Sequence, residues 1–390
     1  MDKPDSKQNT EIGTSTLTTE WKCQSTTLQS PPPFSTACNA LRTNYYKHNM
    51  KTVVYYHKAG TTGHCPDGEL FRIMVRNLLF PNEHSNPPVE YRPFIHGVTQ
   101  IDSESLKDSQ VIFGDMFPIQ SVFAAIQKVV TMSVTVDHHQ PNLATLKQAG
   151  LSATETKGPH FVFFDTERCA SQILFDCITP CVVSGWTISP EIIHSVNLQD
   201  LGKAKLLTYN QRCLNFGLNS VDGPTMEKFI QESIHHRNVD FIRDIGKPLL
   251  KKAQESCQKR LETVTLAQMN QPFSYLIPKP EDKQVEELCT FRCVYVDIAP
   301  DELWMPTELC VFHMDHPALK GHDIVICRLP YDQTSNKRAF KLRAIESSKV
   351  DFNTKVKQMQ RTPHGFAISG GGHPHAAGFD VQGDESVLEI

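Results

Sequence analysis

Three apolar runs in the first half of the chain each stop at a residue of the kind that binds metals or moves protons. The run Thr52–Tyr56 ends at His57, Val111–Gly114 leads into Asp115, and Val130–Val136 leads into Asp137-His138-His139. Such β-branched and aromatic runs form strands. Helical patterns separate them, near Leu70–Phe80, Ile119–Val130 and Ala144–Gly150, and a further run, Phe161–Phe164, completes the series. Strands alternating with helices indicate a parallel sheet covered on both faces. In an open sheet of that kind the carboxyl ends of the strands line one edge, where ligands bind. The series therefore predicts an α/β fold with a doubly wound parallel sheet and a polar site at one edge.

A chain of 390 residues is long for a single core. The expected division is a disordered polar tail over 1–48, a sheet domain with a helical connector over 49–262, a linker over 263–285 and a smaller α/β domain over 286–390. The tail is rich in Ser, Thr and Gln and carries Pro31-Pro32-Pro33, too little apolar surface to offset ordering entropy. The connector is the helical stretch Thr225–Thr263. In the second domain strands are expected at Thr290–Ile298, Ile324–Leu329 and Ala339–Ile345, and a helix at Phe352–Met359, before the string Gly370-Gly371-Gly372-His373-Pro374-His375-Ala376-Ala377-Gly378. A net charge of −4 argues against a broad surface that coats nucleic acid, while leaving room for a local basic groove. The 12 cysteines include no CxxC pair, and no apolar segment follows Met1 or is long enough to span a bilayer. The expectation is a soluble cytoplasmic or nuclear protein with reduced thiols and no membrane partner.

If the sheet is parallel, Asp67 (in the loop after the first strand), Asp115 and His138 converge on one crevice. A single Asp at a strand end is usually a turn or helix-cap residue. Three coincident strand ends are harder to explain that way, because carboxylates gathered together repel unless cations sit among them. Two divalent ions roughly 3.5–4 Å apart, bridged by a carboxylate, are a standard arrangement for splitting phosphate esters. No GxSxG elbow or GxxxxGK[ST] loop offers another chemistry. The histidines of His313-Met314-Asp315-His316, and His322, read as an exposed polar connection, and His235-His236 as a solvated helix face.

These residues resemble the motifs of the DHH phosphoesterase superfamily, in the subgroup with a C-terminal DHHA1 domain (the RecJ-like and nanoRNase-like phosphohydrolases). Tyr56-His57 with Cys65-Pro66-Asp67-Gly68 is similar to the first motif and Phe113-Gly114-Asp115 to the second. Val136-Asp137-His138-His139 is similar to the third, Val196–Leu201 to the fourth, and Gly370–Phe379 to the DHHA1 signature. The resemblance spans about residues 50–390. It implies metal ligation by His57, Asp67, Asp115, His138 and Asp200, with Asp115 as the bridge. Asp137 and His139 would orient ligands and substrate as catalytic groups. Either His57 or His64 fills the first position, with His57 favoured because it ends the strand directly. Cys65 stands where the family often has Asp, as a ligand for a soft metal or as a structural thiol.

The implied cofactor is a pair of Mn²⁺ ions, with Mg²⁺ or another divalent ion as the alternative. The implied activity is a phosphodiesterase of exonuclease type that hydrolyses short oligonucleotides or small nucleotide phosphodiesters through a metal-activated water. The alternatives are a pyrophosphate or polyphosphate hydrolase, or a non-catalytic family member that binds nucleic acid. For substrate binding, the glycine string reads as a loop that exposes backbone N–H groups of Gly371 and Gly372 to a phosphate. His373 would donate to a phosphate oxygen, and Arg343, less directly Arg338, would add a bidentate fork. Phe379 is expected to pack in a core.

Overall fold

The computed structural model describes residues 32–58, 65–81, 88–95, 99–140, 142–148, 155–178, 188–264, 271–278, 286–300, 302, 304–313, 315–345, 351–352, 356, 367–373 and 376–383. The strands of the first sheet are β1 (Thr52–His57), β2 (Val89–Phe94), β3 (Gln110–Gly114), β4 (Met132–Asp137), β5 (Glu155–Lys157) and β6 (His160–Phe164), in the order β2-β1-β3-β4-β6-β5. The first five in that order run parallel, and β5 closes the edge antiparallel to β6. Strand order reverses at β1, which pairs with β2 on one side and β3 on the other. The switch point of this doubly wound sheet therefore lies between the ends of β1 and β3, where a crevice opens.

Alternate strand residues feed two apolar layers. Val54, Ile112, Val134, Val136, Phe161 and Phe163 face one cluster, while Val53, Tyr55, Val111 and Phe113 face another with Ile126 and Val130. Burial on both faces explains why these runs are continuously apolar instead of alternating. The first layer is covered by α1 (Pro32–His48), α2 (Pro66–Met74), α5 (Ala170–Ile178) and α6 (Pro190–Asp200), and the second by α3 (Gln120–Val129); α4 (Asn142–Gln148) packs near α3.

The tail expected to be disordered thus becomes helical from Pro32. Ala37, Leu41 and Tyr45 recur at helical spacing and are buried, with Tyr45 edge-on to Phe80. The polar residues between them masked that stripe. Residues 1–31 of the expected tail lie outside the described residues.

Three more helices follow: α7 (Tyr209–Asn219), α8 (Gly223–His236) and α9 (Asp240–Glu262). The stretch read as one connector is broken at Arg237, whose φ of 50° ends α8. Helix α9 contributes Ile242 to the first apolar layer and Cys257 and Leu261 to a cluster on one face of the second sheet, so it links the two sheets. It crosses α7 closely at Gly246, where an added Cβ would lie 1.7 Å from the Cys213 carbonyl oxygen.

The second sheet contains β7 (Gln271–Pro278), β8 (Glu286–Asp297), β9 (Ile324–Arg328), β10 (Lys337–Ala344), β11 (Ala367–His373) and β12 (Ala376–Gln382), in the order β11-β12-β10-β9-β8-β7. Only β8 and β9 are parallel. Strand β7 lies inside the range read as a linker. Its two prolines sit at the ends of a strand on the sheet edge, where a missing N–H is tolerated. Helix α10 (Met305–Phe312) packs with α9 on one face, and Phe340, Leu342 and Phe379 fill the core of the other. Phe340 and Phe379 stack as expected for core residues. Most of the expected helix Phe352–Met359 lies outside the described residues.

The glycine string departs from expectation. Gly370, Gly371 and Gly372 belong to β11, an edge strand whose register pairs Gly371 with Gly378 and His373 with Ala376. A loop exposing several consecutive N–H groups is therefore replaced by an antiparallel ladder. The backbone of Gly371, Gly372 and His373 thus lies on the outer strand of that sheet.

Candidate metal centre

Each motif residue reaches the crevice by a different route. His57 ends β1. Asp67 sits in the first turn of α2, which starts at Pro66 immediately after Cys65. Asp115 follows β3 with φ at 59°, a conformation that Asp tolerates better than most side chains and that is held by its own N–H bonding to Val136 O at 3.0 Å. His138 and His139 follow β4, and Asp200 is the last residue of α6.

Asp115 is the hub. Its Oδ2 faces His57 Nδ1 at 3.2 Å and accepts from the Cys65 thiol at 3.1 Å. Its Oδ1 lies 3.1 Å from His138 Nε2 and 3.8 Å from His139 Nδ1. His138 Nε2 also approaches Asp200 Oδ2 at 3.0 Å and Asp67 Oδ2 at 3.8 Å. Three overlapping groups result: His57, Cys65 and Asp115; Asp115, His138 and His139; and Asp67, His138 and Asp200. Within each group the donor atoms lie within 4.8 Å of one another. All five residues expected as metal ligands meet here, while His64 lies outside the described residues.

Asp137 stands behind this layer. Its carboxylate accepts from His139 Nδ1 at 2.8 Å and from Asn142 Nδ2 at 2.7 Å. It belongs to none of the three groups and touches the site through the His139 ring. His139 instead joins Asp115 and His138 in one of them, so it is placed to hold an ion as well as to position a substrate.

The electrostatics suit cations. Burial, then the charges of Asp115 and Asp200, push Asp67 up to about 7. Burial alone would raise Asp115 too, but hydrogen bonds from His138 and His57 hold it well below the usual carboxylate range. Burial would lower His138, and the Asp200 and Asp115 charges raise it well above its ordinary value. Among the described residues Asp67, Asp115, Asp137 and Asp200 form ion pairs with histidines only, with no Lys or Arg partner. A buried acidic cluster neutralised by imidazoles alone is a donor set that fits divalent ions of the Mn/Zn class. The Cys65 thiol, pushed well above 9 by burial and by the Asp115 charge, becomes a ligand only if a cation displaces its proton.

Sequence reading missed the N-terminus of α5. The backbone N–H groups of Ala170 and Ser171 donate to the two Asp67 oxygens at 2.9 and 2.8 Å, so Asp67 caps a helix distant in sequence while facing His138. Asn197 Oδ1 accepts from the Cys169 N–H at 2.7 Å and ties α6 to the same turn. No local pattern signals these contacts, since their partners are far apart in the chain. The second-domain histidines form no comparable group among the described residues, although His322 is buried instead of exposed.

Fold and site together define an α/β protein with two sheets and a candidate polynuclear metal centre at the switch point of the first. No family model matches the sequence, and no curated protein matches it. Among solved structures, the chain is similar to a putative family II inorganic pyrophosphatase of Methanococcus jannaschii. That similarity has 12% identity over 86% of this chain and 95% of that one, with a TM-score of 0.28. The chemistry of this chain therefore rests on its own residues. None of its described helices is long and apolar enough to cross a membrane.

Proposed function

We propose that the chain is a divalent-metal-dependent hydrolase of phosphate bonds, of the DHH phosphoesterase type, acting on small substrates. One observation carries this reading: the two oxygens of Asp115 face different ligand groups, His57 with Cys65 on one side and His138 with His139 on the other. A carboxylate so placed can bridge two cations. Residues His57, Asp67, Asp115, His138 and Asp200 would hold them, with His139 and the Cys65 thiolate as further donors. Bound divalent ions supply Lewis-acid polarisation of a phosphoryl oxygen and an activated water. The chain itself contributes orientation: Asp137 fixes the His139 ring, and the N–H groups of α5 fix Asp67. Burial of the cluster keeps these groups in place and strengthens their interactions.

Of the two bond classes expected from sequence, the phosphoanhydride is better supported than the oligonucleotide diester. The oligonucleotide reading rests on the acidic strand ends together with the glycine string as a phosphate-binding loop; the strand ends serve either bond class, and the string pairs as a strand. The test is a hydrolysis screen of metal-loaded protein against pyrophosphate, tripolyphosphate and short dinucleotides, with Mn²⁺, Mg²⁺ and Co²⁺ compared. Release of phosphate or nucleotide that is lost in Asp115→Asn supports the proposal. Absence of turnover with every ion and substrate would sink it.

A further inference from the structure

We propose that the two halves of the centre are chemically unequal: His57, Cys65 and Asp115 form a thiolate site that prefers Zn²⁺, while Asp67, His138 and Asp200 form an oxygen-rich site that keeps Mn²⁺ or Mg²⁺. This rests on the metal-dependent reading above and assigns each ion to its own set of donors. The first group offers one nitrogen, one sulfur and one oxygen, and the second offers two carboxylates and one imidazole. Asp115 Oδ1, 3.1 Å from His138 Nε2, adds a third carboxylate to the second group. Thiolate with imidazole suits Zn²⁺, whereas carboxylates suit Mn²⁺ and Mg²⁺. The centre is then a mixed pair of ions wherever both kinds are supplied.

Three rigid pieces of backbone bring the unlike donors together. Cys65 immediately precedes α2, His57 ends β1, and Asp115 follows β3. Cys65 Sγ lies 3.1 Å from Asp115 Oδ2, and His57 Nδ1 lies 3.2 Å from the same oxygen. Gly68 presses the first turn of α2 onto the end of β1, since a Cβ there would lie 2.2 Å from the His57 carbonyl oxygen. That close approach holds the sulfur beside the imidazole before any ion arrives, so little ordering is left for binding to impose.

The surroundings of the sulfur separate it from a structural thiol. A buried free cysteine ordinarily packs as a small apolar side chain. Cys38 and Cys177, Cys293, and the trio Cys257, Cys310 and Cys327 do so, each within an apolar cluster. Cys65 is buried yet belongs to no such cluster, and among the described cysteines it alone joins a group of candidate ligand atoms. Cys169, close by in the chain to the α5 turn that holds Asp67, faces Ser171 Oγ at 3.3 Å and joins no group. Ion binding at Cys65 replaces the Sγ–H bond by an Sγ–metal bond, and the proton leaves to solvent. With Mn²⁺ alone in excess both halves fill, so the preference shows itself in competition.

The experiment titrates Mn²⁺-loaded, full-length protein with Zn²⁺ at buffered free concentrations and counts both bound metals by elemental analysis. Wild type should exchange in two steps, the first displacing about one Mn²⁺ per chain at a free Zn²⁺ concentration on the order of 100-fold below the second. In Cys65→Asp, which keeps a donor but loses the sulfur, the two steps should run together at unchanged total metal. Co²⁺ loading gives a second readout, a near-ultraviolet charge-transfer band from thiolate to cobalt. That band should be present in wild type and in Cys169→Ser and absent in Cys65→Ser, with the fold of each variant checked by circular dichroism. None of these readouts needs turnover, so protein that binds both ions and cleaves nothing sinks the hydrolase reading while this one is still judged. A single merged exchange step in wild type, no band in Co²⁺-loaded wild type, or a band that survives Cys65→Ser overturns the proposal. Protein that binds no metal overturns both readings.

Discussion

Replacing Asp137 by Asn isolates the orienting layer from the ligands in front of it. The carboxylate accepts from His139 Nδ1 at 2.8 Å, from Asn142 Nδ2 at 2.7 Å and from the His139 N–H at 3.4 Å. An amide has one acceptor oxygen, so its NH₂ must face either the imidazole or the Asn142 amide, and one donor meets another. Groups that fix a ligating imidazole are worth about 10- to 100-fold in metal affinity, or about 1.4–2.7 kcal/mol. Chelator competition with Mn²⁺ should show a loss in that range for Asp137→Asn, with melting of the metal-free protein measured in parallel to separate folding from binding. Adding Asn142→Asp returns an acceptor to face the amide and should recover part of the loss. An affinity within twofold of wild type in the single variant would refute the orienting role.

Three further outcomes are expected. Asp67 is raised from 3.8 to about 7 in the metal-free fold, so the fold keeps a proton that the unfolded chain gives up and stability is lost between about pH 4 and 7; His138 and His139, raised by their carboxylate partners against the effect of burial, lose their contribution as pH rises further. Metal-free protein should therefore melt at progressively lower temperature from pH 4 upward, metal binding should release protons near pH 6, and a flat melting profile in calorimetry would contradict the assignment. Arg212 on α7 pairs with Glu308 on α10, both buried, and lies over the Phe312 ring, so Arg212→Met leaves Glu308 uncompensated and should cost about 3–5 kcal/mol in denaturant unfolding. Gly114→Ala places a Cβ 2.0 Å from the Phe71 ring; it should destabilise by about 1–3 kcal/mol and lower metal content by displacing Asp115, and a fully stable, fully loaded variant would count against that packing.

Legibility in the sequence followed burial. The parallel strands announced themselves because both faces are covered, which makes Val111–Phe113 and Phe161–Phe164 continuously apolar. Their ends then placed His57, Asp115 and His138 together, as found. Short or one-sided elements were hidden: α1 carries its buried stripe among polar residues, and β7 is an edge strand bounded by proline. The α5 cap on Asp67 joins residues more than 100 positions apart, a separation that no local pattern bridges. The glycine string forms an edge strand where a loop is expected, because three glycines are as compatible with a strand next to Gly378 as with a loop.

The central claim is that Asp115 joins two cation sites, and metal stoichiometry tests it most directly. Purified protein dialysed against Mn²⁺ and assayed by elemental analysis should hold about two ions per chain, falling to one or none in Asp115→Asn while the fold persists by circular dichroism. Wild type that retains no metal, or an Asp115→Asn variant that keeps the full complement, would contradict the account.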